Sequence, residues 1–243
     1  NDGYGGRDTL LRIENITGSN HDDIIVTNEN NNIIDGQQGA DTLYGGVGDD
    51  IIYGGADNDV IYGDLKLESS EDSNDTLFGD AGDDIIIGNG GNDTIDAGAD
   101  NDRVYGNAGD DVVYGGAGND IIYGDSKSES AEDGNDTLFG GAGDDIIIGN
   151  GGDDLFYSDE GNDRLYGGAG VDTISFLNES AGITADLNKE DVIDGTGGRD
   201  TVNDFENVIG TNFDDIIVGT ISSNSLDGMD GADVLYGHFG EDF

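Results

Sequence analysis

The sequence predicts an all-β protein, a parallel β-solenoid wound as a flat coil from glycine- and aspartate-rich nonapeptides. Three observations carry the prediction. The first is composition: 243 residues include 45 glycines, no proline and no cysteine, and only 34% are apolar, too few for a conventional three-dimensional core. The second is charge. With 55 acidic residues against 8 basic ones the formal net charge is −47, and a chain so charged and so little hydrophobic stays disordered unless something neutralises its acids. The third is period: between residues 36 and 175 one nine-residue phrase recurs, as GGVGDDIIY, GGAGNDIIY, GGAGDDIII and GGAGVDTIS among others. Self-similarity at a fixed short period marks a repeat architecture.

In chain order, residues 1–35 read as a partial, degenerate segment of the repeat. Residues 36–175 form the main array, with aspartate at position six and an apolar residue at position eight of each phrase. The phrases opening at Gly63 and Gly124 each carry seven extra residues, which places inserted acidic loops near 65–73 and 126–134. Residues 40–100 and 101–161 align with 39 identities, so a larger unit has been duplicated. Residues 176–193 form a break or linker. Within it Ile183, Ala185 and Leu187 alternate with Thr184 and Asp186, which predicts a short strand. Residues 194–243 form a second, truncated segment, in which GTGGRDTVNDFENVIGTNFDDIIV echoes GYGGRDTLLRIENITGSNHDDIIV of residues 3–26. The sequence begins without methionine and both ends fall inside repeat text, so it reads as an excerpt of a longer chain.

Each phrase carries its own physics. Position eight sits in a short run rich in β-branched residues, as at Ile52, Ile86, Val104, Val113, Ile122 and Ile147, which favours a strand. The glycines before it allow a tight turn with inward-facing carbonyls. Stacking the coil buries the position-eight side chains, but it also brings position-six carboxylates to roughly one strand spacing, ~4.8 Å. There each pair repels by about 0.9 kcal/mol even at the dielectric constant of water. A divalent cation between turns reverses that sign. Carboxylate and carbonyl oxygens at roughly 2.3–2.6 Å suit Ca²⁺, and a dissociation constant near 1 mM corresponds to about 4 kcal/mol per site at the 1 M standard state.

Other functions find little support. The net charge argues against nucleic acid and anionic membranes as partners, and no 18-residue apolar run is present to span a bilayer. Without cysteine there is neither a disulfide nor a thiolate site. The two histidines, His21 and His238, lie far apart and outside any HExxH pattern. No GxSxG or phosphate-binding loop occurs, so the chain is not expected to be an enzyme. Nine tyrosines occupy position nine (Tyr44, Tyr53, Tyr62, Tyr105, Tyr114, Tyr123, Tyr157, Tyr166 and Tyr236) and should form outward ladders with Phe78 and Phe139. Arg7 and Arg199, both in GGRDT, are expected to be surface charges, pairing with acids or capping a coil.

The phrase GGxGxDxUx, with U a large apolar residue, resembles that of the RTX (repeats-in-toxin) family, the hemolysin-type calcium-binding repeat. The resemblance implies a parallel β-roll with Ca²⁺ in its turns, held by position-six aspartates and by carbonyls of the opening positions. Carried onto this chain, the metal aspartates are Asp41, Asp50, Asp59, Asp75, Asp84, Asp93, Asp102, Asp111, Asp120, Asp136, Asp145, Asp154, Asp163 and Asp172. In the flanking segments they are Asp8, Asp23, Asp200, Asp215, Asp233 and Asp242. Glycines of the metal turns include Gly45, Gly48, Gly106, Gly109, Gly115, Gly118, Gly140, Gly143, Gly149 and Gly152. Asn32 and Asn224 in place of aspartate, and Asp57 and Asp100 in place of the fourth glycine, are expected to weaken their sites. Bridging between turns implies roughly ten Ca²⁺ ions in all. The resemblance further implies a secreted or surface-exposed bacterial protein, exported by a type I secretion apparatus and folding outside the cell. Two other readings remain open: an adhesin or surface-layer segment that binds a partner through its tyrosine face or inserted loops, and the non-catalytic tail of a secreted enzyme or toxin.

Overall fold

The computed structural model describes residues 13–64, 73–126, 133–157, 159–238, 240 and 242. Arg7, Asp8 and most of both inserted loops lie outside these residues. The described chain holds 24 strands of three to six residues, separated by turns. Successive strands alternate between two sheets. One has 11 strands, from Asn15–Thr17 to Ser225–Asp227, and the other 13, from Ile24–Val26 to Val234–Tyr236. Throughout the array the pairing is parallel, as expected of a β-roll.

Register follows the phrase. Ile34 of Ile33–Gln38 lies opposite Ile52 of Ile51–Ala56, one full coil later. Across the insertions Ile52 faces Leu77 and Val113 faces Leu138, so the seven extra residues loop out and leave the ladder unshifted. The reason is the core: a one-residue slip would turn every position-eight side chain to the surface. Those side chains, Leu43, Ile52, Ile61, Leu77, Ile86, Ile95, Val104, Val113, Ile122, Leu138, Ile147, Phe156, Leu165 and Ile174, form one fully buried column between the sheets.

Position nine points outward. Tyr44 stacks on Tyr62 with centroids 4.6 Å apart, Tyr105 on Tyr123 at 5.0 Å, and Tyr114, Phe139 and Tyr157 form a continuous stack.

Segment 176–193 departs from the coil. Thr184–Asp186 forms the strand expected from the alternation, with Ile183, Ala185 and Leu187 buried. A second strand, Asp191–Ile193, pairs antiparallel with it and with Arg199–Asn203. The 13-stranded sheet thus takes in two extra strands, while the other sheet passes directly from Thr173–Ser175 to Asn207–Ile209. Phe176 and Phe205 fill the core here, Phe205 meeting Phe156 edge-on at 4.9 Å.

Candidate metal centre

Apart from the two turns that carry the insertions and the one before Asp163, each array turn reverses the chain in six residues with two left-handed residues, at positions two and four. Gly46 and Gly48 have φ of 107° and 103°. Where the phrase lacks glycine, short polar side chains take the same conformation, as Asn89 does at position two (φ 84°) and Asp57 and Asp100 at position four (φ 79° and 80°). Asn and Asp tolerate this region better than other non-glycine residues. The two departures at Asp57 and Asp100 therefore keep the turn, and the carboxylates of Asp59 and Asp102 keep the arrangement of their neighbours. At other position-four sites there is no room for a Cβ: a methyl group on Gly118 would lie 1.8 Å from the carbonyl oxygen of Asp100, and one on Gly152 would lie 1.6 Å from that of Gly134.

These turns line up the position-six residues in two ladders, one along each edge of the roll. In every rung the backbone N–H of one residue donates to the Oδ1 of its counterpart one coil later, at 2.7–3.0 Å. One ladder runs Asp23, Asp41, Asp59, Asp84, Asp102, Asp120, Asp145, Asp163, Asp200. The other runs Asn32, Asp50, Asp75, Asp93, Asp111, Asp136, Asp154, Asp172 and ends on Glu206, whose Oε2 accepts from Asp172. Glu206 escaped the sequence reading because it is not aspartate. Counting back two places from the buried Val208 in ENVI would have placed it at position six.

The second carboxylate oxygen has a different fate. Oδ2 of Asp41, Asp50, Asp59, Asp75, Asp84, Asp93, Asp102, Asp111, Asp120, Asp136, Asp145, Asp154 and Asp172 is buried without a hydrogen-bond partner. It faces the opening glycine of its own phrase and, in most turns, a carbonyl one coil later. A methyl group on Gly88 would lie 2.2 Å from Asp93 Oδ2 and 2.8 Å from the carbonyl oxygen of Gly106. On Gly115 the corresponding contacts are 2.7 Å to Asp120 Oδ2 and 2.5 Å to the carbonyl of Gly140, and on Gly45 they are 2.4 Å to Asp50 Oδ2 and 2.6 Å to that of Gly63. The turns that carry the insertions keep this cradle: Gly63 faces Asp75 Oδ2 and the Gly88 carbonyl, and Gly124 faces Asp136 Oδ2 and the Gly149 carbonyl. The loop stems are pinned separately, by Asp64 accepting from the Ser73 hydroxyl at 3.0 Å and by Asp125 accepting from the Gly134 N–H.

A dehydrated carboxylate beside carbonyl oxygens is electrostatically unfavourable on its own. Burial pushes Asp50 and Asp59 up to about 7 and Asp75 and Asp84 up to about 8, and neighbouring carboxylates add to the rise. Asp93 and Asp136 reach about 10, from burial first and then the charge of Asp111. No basic side chain relieves them. Among the described residues the ion pairs are Lys189–Asp186 and Arg199–Asp191, both outside the array. Nor do three acidic or histidine side chains converge on one point among the described residues; each cradle combines a carboxylate with main-chain oxygens. Such hard, all-oxygen surroundings fit Ca²⁺ and suit softer metals poorly.

The flanking turns are built otherwise. Asp23 Oδ2 accepts from the Ser19 N–H at 2.7 Å and the Ser19 hydroxyl at 2.9 Å. Thr211 gives its N–H to Asp215 Oδ2 at 2.7 Å and its hydroxyl to Oδ1 at 2.9 Å, and Thr220 gives both donors to Asn224 Oδ1. Asp233 and Asp242 accept the N–H groups of Asp215 and Asn224. Asn32, the other asparagine at position six, keeps its rung through its main chain.

No curated protein matches the chain. The family model for the RTX calcium-binding nonapeptide repeat (four copies) matches residues 17–51, 35–65, 70–104, 96–126, 130–165, 149–176 and 209–243. With its roll of parallel sheets and its matched repeats over most of its length, the chain belongs to the RTX calcium-binding nonapeptide repeat family.

Proposed function

We propose that this calcium-binding RTX module is a folding device: an extended chain where calcium is scarce, a rigid roll where it is abundant. The observation that carries the reading is the pair of carboxylate ladders, in which thirteen position-six aspartates of the array commit Oδ1 to the backbone and leave Oδ2 buried and unpartnered. When bound, Ca²⁺ supplies the positive charge that these oxygens lack. The ligands are the Oδ2 atoms of Asp41, Asp50, Asp59, Asp75, Asp84, Asp93, Asp102, Asp111, Asp120, Asp136, Asp145, Asp154 and Asp172, with opening-position carbonyls such as those of Gly106, Gly140 and Gly149. The ladder continues through Asp163 and Asp200. Roughly ten ions follow. Position-four glycines such as Gly48, Gly109, Gly118 and Gly143 serve the turn by its conformation.

A module that folds on meeting calcium suits a chain that crosses a type I secretion apparatus unfolded and is trapped outside as a roll. Such behaviour fits a secreted or surface protein of a bacterium. Among the described residues no helix is long and apolar enough to cross a membrane. The module acts by folding and not by catalysis, and any chemistry belongs to other parts of the parent protein. Far-UV circular dichroism during calcium titration, with magnesium as control, tests the reading. A cooperative coil-to-β transition with calcium alone is expected, and a folded spectrum in excess chelator would overturn it.

A second reading rests on a surface groove of about 610 Å³ lined by Tyr105, Asn107, Tyr123, Asp125, Asn150 and Tyr166, at the foot of the second insertion. It suits an adhesin that grips an extracellular partner by its aromatic ladder. In that case Tyr105→Ala with Tyr123→Ala abolishes partner binding and spares calcium-driven folding.

A further inference from the structure

The turn between Asp191–Ile193 and Arg199–Asn203 lies in the irregular segment, yet it carries the same signature as an array turn. Asp194 is 3% exposed. Its Oδ1 accepts from the N–H groups of Thr196 (2.7 Å), Gly197 (2.7 Å) and Gly198 (3.0 Å) and from the Thr196 hydroxyl (2.8 Å). Its Oδ2 is buried and has no hydrogen-bond partner. That oxygen confronts the carbonyl of Gly161 across the space of one methyl group: a Cβ on Gly198 would lie 2.3 Å from Asp194 Oδ2 and 2.0 Å from the Gly161 oxygen.

A second acceptor pair flanks the same turn. A methyl on Gly195 would lie 2.9 Å from Glu179 Oε2 and 2.4 Å from the carbonyl oxygen of Ala181. Glu179 is 9% exposed, and after burial the strongest influence raising its pKa is the charge of Asp194. A cavity of about 410 Å³, lined in part by Asp159, Glu160, Glu179, Ser180 and Thr196, gives this corner a route to solvent. The nearby guanidinium of Arg199 is engaged by Asp191, at 2.5 and 3.0 Å.

We propose that the 194–198 turn holds a divalent cation outside the repeats, a calcium ion bound by Asp194 Oδ2 and the Gly161 carbonyl with Glu179 across the turn. No nonapeptide encodes this site. In an array phrase the aspartate follows its opening glycine by five residues, whereas here it precedes Gly198 by four and arrives on an antiparallel strand. The ion would clamp the two-strand insertion to the turn at Gly161, where one sheet gains strands that the other lacks.

The deciding experiment is anomalous diffraction from crystals of the full chain grown in calcium and, in parallel, in terbium. A peak between Asp194 Oδ2 and the Gly161 carbonyl is expected, and its absence from a map that shows ions in the array would overturn the proposal. Should the array also lack peaks, the calcium reading of the repeats fails by itself, and density at Asp194 still decides this site. In solution, Asp194→Asn is expected to bind one calcium fewer than the parent with an unchanged β spectrum, and Glu179→Gln to weaken one site several-fold. An unchanged calcium count in Asp194→Asn would count against the site, and if that variant does not fold, the diffraction map of the parent chain decides.

Discussion

The array turns and the flanking turns solve one electrostatic problem in two ways. Both bury an acceptor side chain at position six and tie it to the neighbouring coil through a backbone N–H. In most array turns position two is glycine, asparagine, aspartate or glutamine in a left-handed conformation, and Oδ2 is left buried without a donor. In three flanking turns position two is Ser19, Thr211 or Thr220, and its N–H and hydroxyl satisfy Asp23, Asp215 or Asn224 from within the turn; the turns of Asp233 and Asp242 carry left-handed Met229 and His238 there, as array turns do. The difference teaches that one residue, four places before the acceptor, decides whether a turn supplies its own hydroxyl and N–H donors to position six.

The largest expected effect separates the two kinds of turn by pH. Without cation, burial holds Asp50 and Asp59 of the folded array up at about 7 and Asp75 and Asp84 at about 8, above their ordinary 3.8. Over that interval the folded chain binds more protons than the unfolded one. The stability of the cation-free roll is therefore fully present below about pH 4 and is lost as pH rises through about 7 to 8. In excess chelator the chain should therefore be a coil at about pH 8 and gain β structure, followed by circular dichroism, as pH falls toward about 4. A chelated spectrum independent of pH over that interval would mean that the buried array carboxylates do not oppose folding.

Next in size is a matched pair of substitutions. Asp93→Asn should remove one bound ion and cost about 3 kcal/mol in calcium well above its dissociation constant. Asp215→Asn should leave the ion count unchanged and cost about 1 kcal/mol, because Asn224 already occupies an equivalent self-capped turn. Equal losses of calcium, read by titration calorimetry, would erase the distinction.

Two glycines sharpen it further. Gly88→Ala puts a methyl group into the cradle of Asp93 and should cost about 1–3 kcal/mol while raising the calcium midpoint. Gly197→Ala meets nothing within 4 Å and is strained only by its φ of 97°, so it should cost about 1 kcal/mol and leave the ions of the array in place. The smallest effect belongs to Thr211→Val, which deletes one donor. It should cost about 1 kcal/mol or less and show most clearly as faster amide hydrogen exchange around Asp215.

Much of this was legible in the chain. Position eight had to be the core because Ile, Leu and Val recur there at a fixed distance from glycine turns, and the column from Leu43 to Ile174 is buried as that pattern requires. The position-six aspartates were legible for the same reason: the signal lies within nine residues. What escaped depends on contacts between coils. Glu206 takes an aspartate's rung because its longer side chain still reaches the Asp172 N–H. The Ser19 and Thr211 caps look like ordinary turn residues until the carboxylate folds back onto them. The antiparallel pair at 184–193 is set by what it packs against, with only the alternation at Ile183, Ala185 and Leu187 visible beforehand.

By itself, then, the sequence determined the period, the core column, the outward aromatic ladders and the identity of the acidic edges, because each is written within one phrase and multiplied by repetition. Only the tertiary structure decided which oxygen of each carboxylate is left without a donor, which turns close on their own hydroxyls, and where Asp194 meets the carbonyl of Gly161. Those outcomes turn on atoms brought together from one coil and the next, and no local pattern records such distances.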